Sequence, residues 1–531
     1  MKTIAVFCLA LLPAAAFAQQ PKAANISCVQ PAPQAATEAE KLLATGDFAG
    51  AEKLYAGQLA GATAEAGYQG LLRAQVGQNH VKQASETAKS AAAAAPNAAW
   101  AQVLLGDAEL RAGHIDEAVM AYTSARKLDF CNAKAHAGFA RTSQLFRMDA
   151  SAQKELAIAH KLALADEEIS EAYFATLPPA LHAKGFRNLL ASSKTLTTEH
   201  RARLEEQATA LEVGDTCQPI ALAPGTKLNL QSVFSDAIRV RDRSLQVAFG
   251  DGKKLNLELD GSASGIVLSQ ADADKVGVVP LIAQVDRTKP YLGSIETITI
   301  GAAKFARCTV RVVPRNLLAP PNGLAYSVIG LDFFRDSMIH IDWAAKEMTL
   351  TPFALSAAPL DAVVPDAEKT WAHVVIDGPR VLFPLAIYKQ PRGLALFTPG
   401  FMPVVASPEL GATLGASKDE SAGFQGIDGE LLRVFYKDGP TGTVNDLRYA
   451  DGTLVNVQRI GKVLEYRFAN YIHAVYNGYA WDLAPLSHGA GVEISSVFGY
   501  QLAQQYFIDI DYRNGLVQMV YDVSYGSRPH L

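Results

Sequence analysis

The chain has 531 residues, which suggests two to four domains. Charged residues make up 19% and hydrophobic residues 49%, a globular balance that argues against general disorder. The formal net charge is -5, with Lys+Arg 48 outnumbered by Asp+Glu 53, which argues against nucleic-acid binding through bulk positive charge; Gly 40, Pro 26 and Cys 5 exclude a collagen-like or disulfide-dense scaffold.

Met1-Lys2-Thr3 is a basic start, Ile4 to Leu12 a short apolar run, and Ala16-Phe17-Ala18 an A-x-A end. This predicts a secretory signal peptide over residues 1–18, cut after Ala18. The run is too short to span a bilayer, and no later stretch is long and apolar enough to do so. The expected location is therefore the periplasm or the medium. Residues 19–36 read as a linker.

Cleavage removes Cys8 and leaves Cys28, Cys131, Cys217 and Cys308. An even number in an exported chain permits two disulfides, with three possible pairings. Cys28–Cys131 with Cys217–Cys308 is preferred, because each bridge then stays inside one expected domain. The spacing matches no CxxC metal or redox motif, so the cysteines read as structural. No metal and no cofactor is expected: HExxH, P-loop and paired-cysteine zinc patterns are missing from the sequence.

From about Thr37 to Val213 the chain is rich in Ala, Leu, Glu, Gln and Lys and poor in Pro, which predicts helices. Gly46-Asp47-Phe48 leads into Ala51 and Tyr55; Gly113-His114-Ile115 leads into Ala118, Tyr122 and Ala125. The two glycines are 67 residues apart, close to two helix–turn–helix units of about 34 residues. Gly77 marks a weaker turn, and Arg147-Met148-Asp149 continues the frame. Small alanines allow close helix approach, and the tyrosines fill the gaps. The pattern resembles tetratricopeptide repeats over roughly residues 37–167, with a degenerate second unit and a capping helix pair expected over 180–213 after Pro178-Pro179. That resemblance implies a concave protein- or peptide-binding groove; a helical spacer is the alternative. His80, His114, His136 and His160 lack metal-ligand spacing and read as surface residues.

After Val213 the composition turns to Val, Ile, Leu and Thr. Leu245 to Phe249, Gly250-Asp251-Gly252 and Lys253 to Leu259 predict a β-hairpin. It runs into Asp260-Gly261-Ser262-Ala263-Ser264-Gly265, then Ile266-Val267-Leu268-Ser269 and a short helix from Ala271 to Val276. Val328-Ile329-Gly330-Leu331-Asp332 follows, with Gly330 70 residues after Asp260, and Ile341-Asp342-Trp343 ends another strand.

The last third repeats this order. Leu394 to Phe397 reads as a strand before Thr398-Pro399-Gly400-Phe401. Ser269 lies 9 residues after Asp260, as Ser407 does after Thr398; Asp342 lies 12 after Gly330, as Asp511 does after Gly499. The second copy carries about 31 extra residues between its marks.

The duplicated set resembles the retropepsin/pepsin-like aspartic protease family over about residues 218–523. In that family each lobe carries an Asp-Thr/Ser-Gly-Ala turn, and a hydrophobic-hydrophobic-Gly segment threads behind it. The expected fold class is therefore an all-α tetratricopeptide-like array over 37–213, followed by an all-β bilobal acid-protease-like domain with lobes at 218–355 and 370–523.

The resemblance implies a catalytic role for Asp260 and places Thr398 where the second acid belongs. Active-site turns fall on Gly261, Ser262, Ala263, Pro399 and Gly400, with Gly330 and Gly499 as structural glycines. Peptide hydrolysis of this type needs two carboxylates sharing one proton, one acting as base on water and the other as donor to the scissile carbonyl. An alcohol at Thr398 cannot take a proton from water. Gly261 and Pro399 also replace residues whose hydroxyls, in the family, help lock the turns together. Three readings stay open: a peptide-binding cleft that has lost hydrolysis; an active aspartic endopeptidase that completes Asp260 with another carboxylate, from this chain or a second copy; and a purely structural β half beside a helical scaffold. The expected ligand is an extended peptide or protein partner. Asp332, Asp342 and Asp511 read as a helix-start residue and strand-end residues, and the Gly/Asp-rich segment from Lys418 to Gly452 as a flap of the second lobe or a surface insertion.

Overall fold

The computed structural model describes Cys28 and residues 37–527, apart from 194, 215, 235–239, 251, 284, 315–326, 354–370, 388–392, 400–404, 416–457, 461–463, 469–470, 476–477 and 481. The expected signal peptide, Gly400 and the segment from Lys418 to Gly452 lie outside the described residues.

Alanine, glycine and tyrosine set the geometry of the N-terminal half. Helices α1 (Glu38–Thr45), α2 (Phe48–Ala56), α3 (Ala64–Gly77), α4 (Val81–Ala94), α5 (Ala99–Arg111), α6 (Ile115–Leu128), α7 (Ala133–Leu145), α8 (Asp149–Leu162), α9 (Glu167–Phe174), α10 (Pro179–Ser192) and α11 (Thr198–Val213) follow one another. Thr37, Asp47, Asn132, Asp166 and Thr197 cap their helices by accepting a backbone N–H with the side chain. Helices α4, α6 and α8 begin at Val81, Ile115 and Asp149, 34 residues apart, so the unit that looks degenerate in sequence is a complete helix pair. The ring of Tyr122 is buried between Gly106 and Gly138, where an added Cβ would come within 2.6 Å and 2.2 Å of it. Tyr55 sits on Gly70 in the same way. His136 corrects the surface reading of the histidines: it is fully buried, with Nδ1 at 2.6 Å from Glu155 and Nε2 at 2.9 Å from the Phe130 carbonyl. A buried imidazole is tolerated because both ring nitrogens have partners.

The remaining chain is all-β, in barrel-like sheets. The hairpin of Val240–Phe249 and Lys253–Asp260 forms as its Gly-rich turn predicts, with Phe249 opposite Lys253. One apolar core runs through both lobes, from Leu228 and Leu230 to Ile510 and Met519. The lobes join through their duplicated strands. Ser337–Asp342 pairs antiparallel with Tyr506–Asp511, with Ile339 opposite Ile510 and Ile341 opposite Ile508. Asp342 and Asp511 end these strands and cap the turns that follow, Asp342 accepting from Ala344 N and Ala345 N and Asp511 from Asn514.

The helical array is docked on the second lobe. Glu493 N donates to the Arg111 carbonyl at 2.8 Å, Arg111 Nη1 donates to the Ser487 carbonyl at 3.2 Å, and Arg141 pairs with Asp377 at 2.7 Å. Strand Gly393–Phe397 is apolar along its length because both its faces are covered. Ala395 and Phe397 join the main core, while Leu394 and Leu396 join a second cluster with Ile115 of α6 and Leu145 of α7. Disulfides link Cys28 to Cys131 and Cys217 to Cys308, with Cα atoms 5.5 Å and 4.0 Å apart. Among the described residues, no helix is long and apolar enough to cross a membrane.

At the seam between the lobes, His340 Nδ1 lies 2.8 Å from Asp509 Oδ1. The hydrogen bond to Asp509 holds the imidazole pKa above its ordinary 6.5, against the opposing effect of partial burial. A raised histidine pKa stabilises the fold below the ordinary value and loses that contribution as pH rises through the folded one. The pair is half-exposed, so its contribution is on the order of 1 kcal/mol or less. His340→Gln is therefore expected to lower the thermal midpoint at pH 6 and to have a smaller effect at pH 9; equal losses at both values contradict the assignment.

Candidate active site

Each lobe builds its central turn with the same device. Strand Lys253–Asp260 runs parallel to Val328–Gly330, with Leu259 opposite Ile329 and Asp260 opposite Gly330. In the second lobe Gly393–Phe397 runs parallel to Ile494–Phe498, with Phe397 opposite Phe498, and Thr398 N donates to the Phe498 carbonyl at 3.1 Å. The chain then returns as Ile266–Ser269 or Val405–Ala406, antiparallel to that same short partner strand. Ser269 and Ser407, matched by their equal offsets, each accept a backbone N–H at the start of a short helix.

These devices meet at the molecular centre. A Cβ on Gly261 would lie 1.9 Å from the Phe397 carbonyl oxygen and 2.9 Å from Thr398 Cα. Gly261, having no side chain, thus lets the turns touch through bare backbone. Thr398 is 2% exposed and Pro399 is also buried.

Asp260 is 6% exposed. Its Oδ1 accepts from Ser262 N and from Ser262 Oγ, both at 2.7 Å. Burial pushes the carboxyl pKa above its ordinary value; the Ser262 bonds, a bond from the Ala263 backbone and the Arg380 charge pull the other way and do not overcome it. The hydrogen bonds to the Asp260 carboxylate come from a hydroxyl and from backbone amides.

Three supports hold the turns, at Asp332, Gly330 and Gly499, and of these the sequence marks the two glycines as structural. Asp332, read as a helix-start residue, lies in the 3-10 turn Leu331–Phe334, and its carboxylate accepts from Ser264 Oγ at 3.0 Å and Gly265 N at 2.7 Å. Gly330 N donates to the Gly265 carbonyl at 2.7 Å, and a Cβ on Gly330 would lie 2.2 Å from the Ala263 carbonyl. In the second lobe the Gly499 carbonyl accepts from Leu502 N and Ala503 N, and the next residue, Tyr500, is held by Arg243 and Trp343 of the first lobe. Among the described residues no group of three His, Cys, Asp or Glu side chains could hold a metal ion.

No protein-family description and no curated protein matches the chain. Several solved structures are similar in fold at low identity. A thermophilic TPR protein of Thermus thermophilus is 18% identical, with a TM-score of 0.29 over 32% of this chain and 94% of its own. MamA is 16% identical, with a TM-score of 0.22 over 34% of this chain and 98% of its own. The aspartic proteinase from Irpex lacteus is 10% identical, with a TM-score of 0.31 over 56% of this chain and 98% of its own. The chain's own elements are a helical repeat region followed by a barrel-like β region; the likenesses are coarse.

A buried acid with a raised pKa is most stabilising when protonated, so its contribution is present below the ordinary 3.8 and is lost as pH rises through the folded value. Asp260→Asn, which mimics the protonated form, is expected to raise the thermal midpoint by a few degrees at pH 7, with the gain closing as pH falls toward 4. A variant less stable than wild type at pH 7 contradicts this account of Asp260.

Proposed function

We propose that this chain is an exported peptide-binding protein on an acid-protease-like frame that no longer hydrolyses peptide bonds. The observation that carries the reading is the meeting of the two turns with Asp260 on one and Thr398 on the other. Water attack by a proton-sharing pair requires a second group that ionises in the same range, and a threonine hydroxyl does not. Ser262 offers Asp260 another hydroxyl, which donates to the carboxylate and so cannot share its proton. The reading expects a cleft between the two β lobes, suited to an extended peptide that adds its backbone to a strand. The tetratricopeptide-like array, seated on the second lobe, supplies a further protein-binding surface, with 37–213, 218–355 and 370–523 as the working units. Export is supported by the N-terminal residue pattern and by two disulfides, which persist in oxidising compartments.

Casein and a mixed peptide library, incubated with the full chain from pH 3 to pH 7, are expected to remain uncleaved by wild type and by Asp260→Ala alike. Cleavage by wild type that disappears in Asp260→Ala establishes an active aspartic endopeptidase instead.

A further inference from the structure

Away from the Asp260 turn lies a cavity of about 500 Å³ in which arginines from three separate parts of the chain converge. Arg147 comes from the turn between α7 and α8, Arg335 follows the 3-10 turn Leu331–Phe334, and Arg513 lies in the turn after strand Tyr506–Asp511. The floor is aromatic: Phe305 packs edge-on against Phe333 at 4.9 Å, Phe333 against Phe334 at 5.1 Å, and Phe353 lies under the Arg513 guanidinium at 4.0 Å.

One of these guanidinium groups is left without an ion pair among the described residues. Arg335 pairs with Asp332 at 3.0 Å and Arg147 with Asp149 at 2.9 Å. Asp336 is the remaining acid on the lining, and it is exposed. Arg513 has no ion pair among the described residues, and the Nε atoms of both Arg147 and Arg513 are buried without a hydrogen-bond partner. A buried donor left unpaired destabilises, so a site that holds two of them is short of an acceptor. An anionic head would satisfy the arginines in the forked geometry that guanidinium groups favour. The aromatic floor would take an apolar body. The volume falls within the usual range for small-molecule sites, about 300–1,000 Å³.

We propose that this cavity binds a carboxylate carrying an apolar group the size of one large side chain, with Arg513 as its principal anchor. Two sources share that chemistry: the hydrophobic C-terminal residue of a polypeptide, and a free aryl or acyl acid. The site requires nothing of Asp260, so it stands or falls separately from the cleft.

The test is calorimetric titration of the full-length protein with N-acetylphenylalanine and its amide, a pentapeptide ending in Leu-Phe as free acid and as amide, and octanoate. The free acids are expected to bind and the amides to bind at least about tenfold more weakly, the loss expected of a charge-assisted bond. Arg513→Gln is expected to weaken the acids by a similar factor and leave the amides unchanged, while the distant Arg287→Gln leaves all affinities unchanged. A tighter pentapeptide acid identifies a polypeptide terminus as the source; tighter octanoate identifies a free acid. Absence of binding at millimolar acid, equal affinity for acid and amide on wild type, or an Arg513→Gln protein that is folded by circular dichroism and binds acids normally overturns the proposal. The comparison of acid with amide on wild type decides the matter even if the variant does not fold.

Discussion

Two turns from opposite halves of the β region touch where Gly261 leaves no room for a side chain against Phe397 and Thr398. That backbone contact fixes what the centre of the molecule can do. It brings the end of one strand, Asp260, to the end of its duplicate, Thr398, and the later segments hold each turn from behind. Gly330 is confined by the Ala263 carbonyl, and the Asp332 carboxylate fastens Ser264 and Gly265. Any larger residue at 261 would separate the lobes or displace the turns, because the clashing atoms are backbone and cannot rotate away. The chemistry follows from the pairing: an acid desolvated by burial, held by hydroxyl and amide donors, opposite an alcohol.

The second consequence concerns the helical half. The strand that delivers Thr398 is buried on both faces, and Leu394 and Leu396 carry its outer face onto Ile115 and Leu145 of the array. With the Glu493–Arg111 backbone bond and the Arg141–Asp377 ion pair, this attaches the array to the lobe that holds the substituted position. The array is therefore part of the same packed unit as the second lobe, which a detached spacer would not be. Period-2 alternation explains how one five-residue strand serves two cores at once.

Much of this was legible in the sequence because duplication preserves offsets. The matched positions of Ser269 and Ser407, and of Asp342 and Asp511, mark the same helix caps and strand ends in both lobes. The apolar run Leu394 to Phe397 showed a strand but not that its two faces meet different partners, since a continuous hydrophobic run does not say what covers each side. Asp332 read as a local helix-start residue because its partners, Ser264 and Gly265, are nearly 70 residues away and become neighbours only once the parallel pairing forms. The clamp of Arg243 on Tyr500 was hidden for the same reason, spanning both lobes. His136 looked like a surface residue because its burial depends on Glu155 one helix later and on the Phe130 carbonyl, neither of which a spacing rule detects.

The most direct measurement of the central arrangement is the titration of Asp260 itself, followed by carbon NMR on protein labelled at its aspartate carboxyls, with Asp260→Asn locating the signal. A lone buried acid predicts a single-step curve with its midpoint above the ordinary 3.8. A curve with two coupled steps, the signature of a proton shared with a neighbouring carboxylate, contradicts the account.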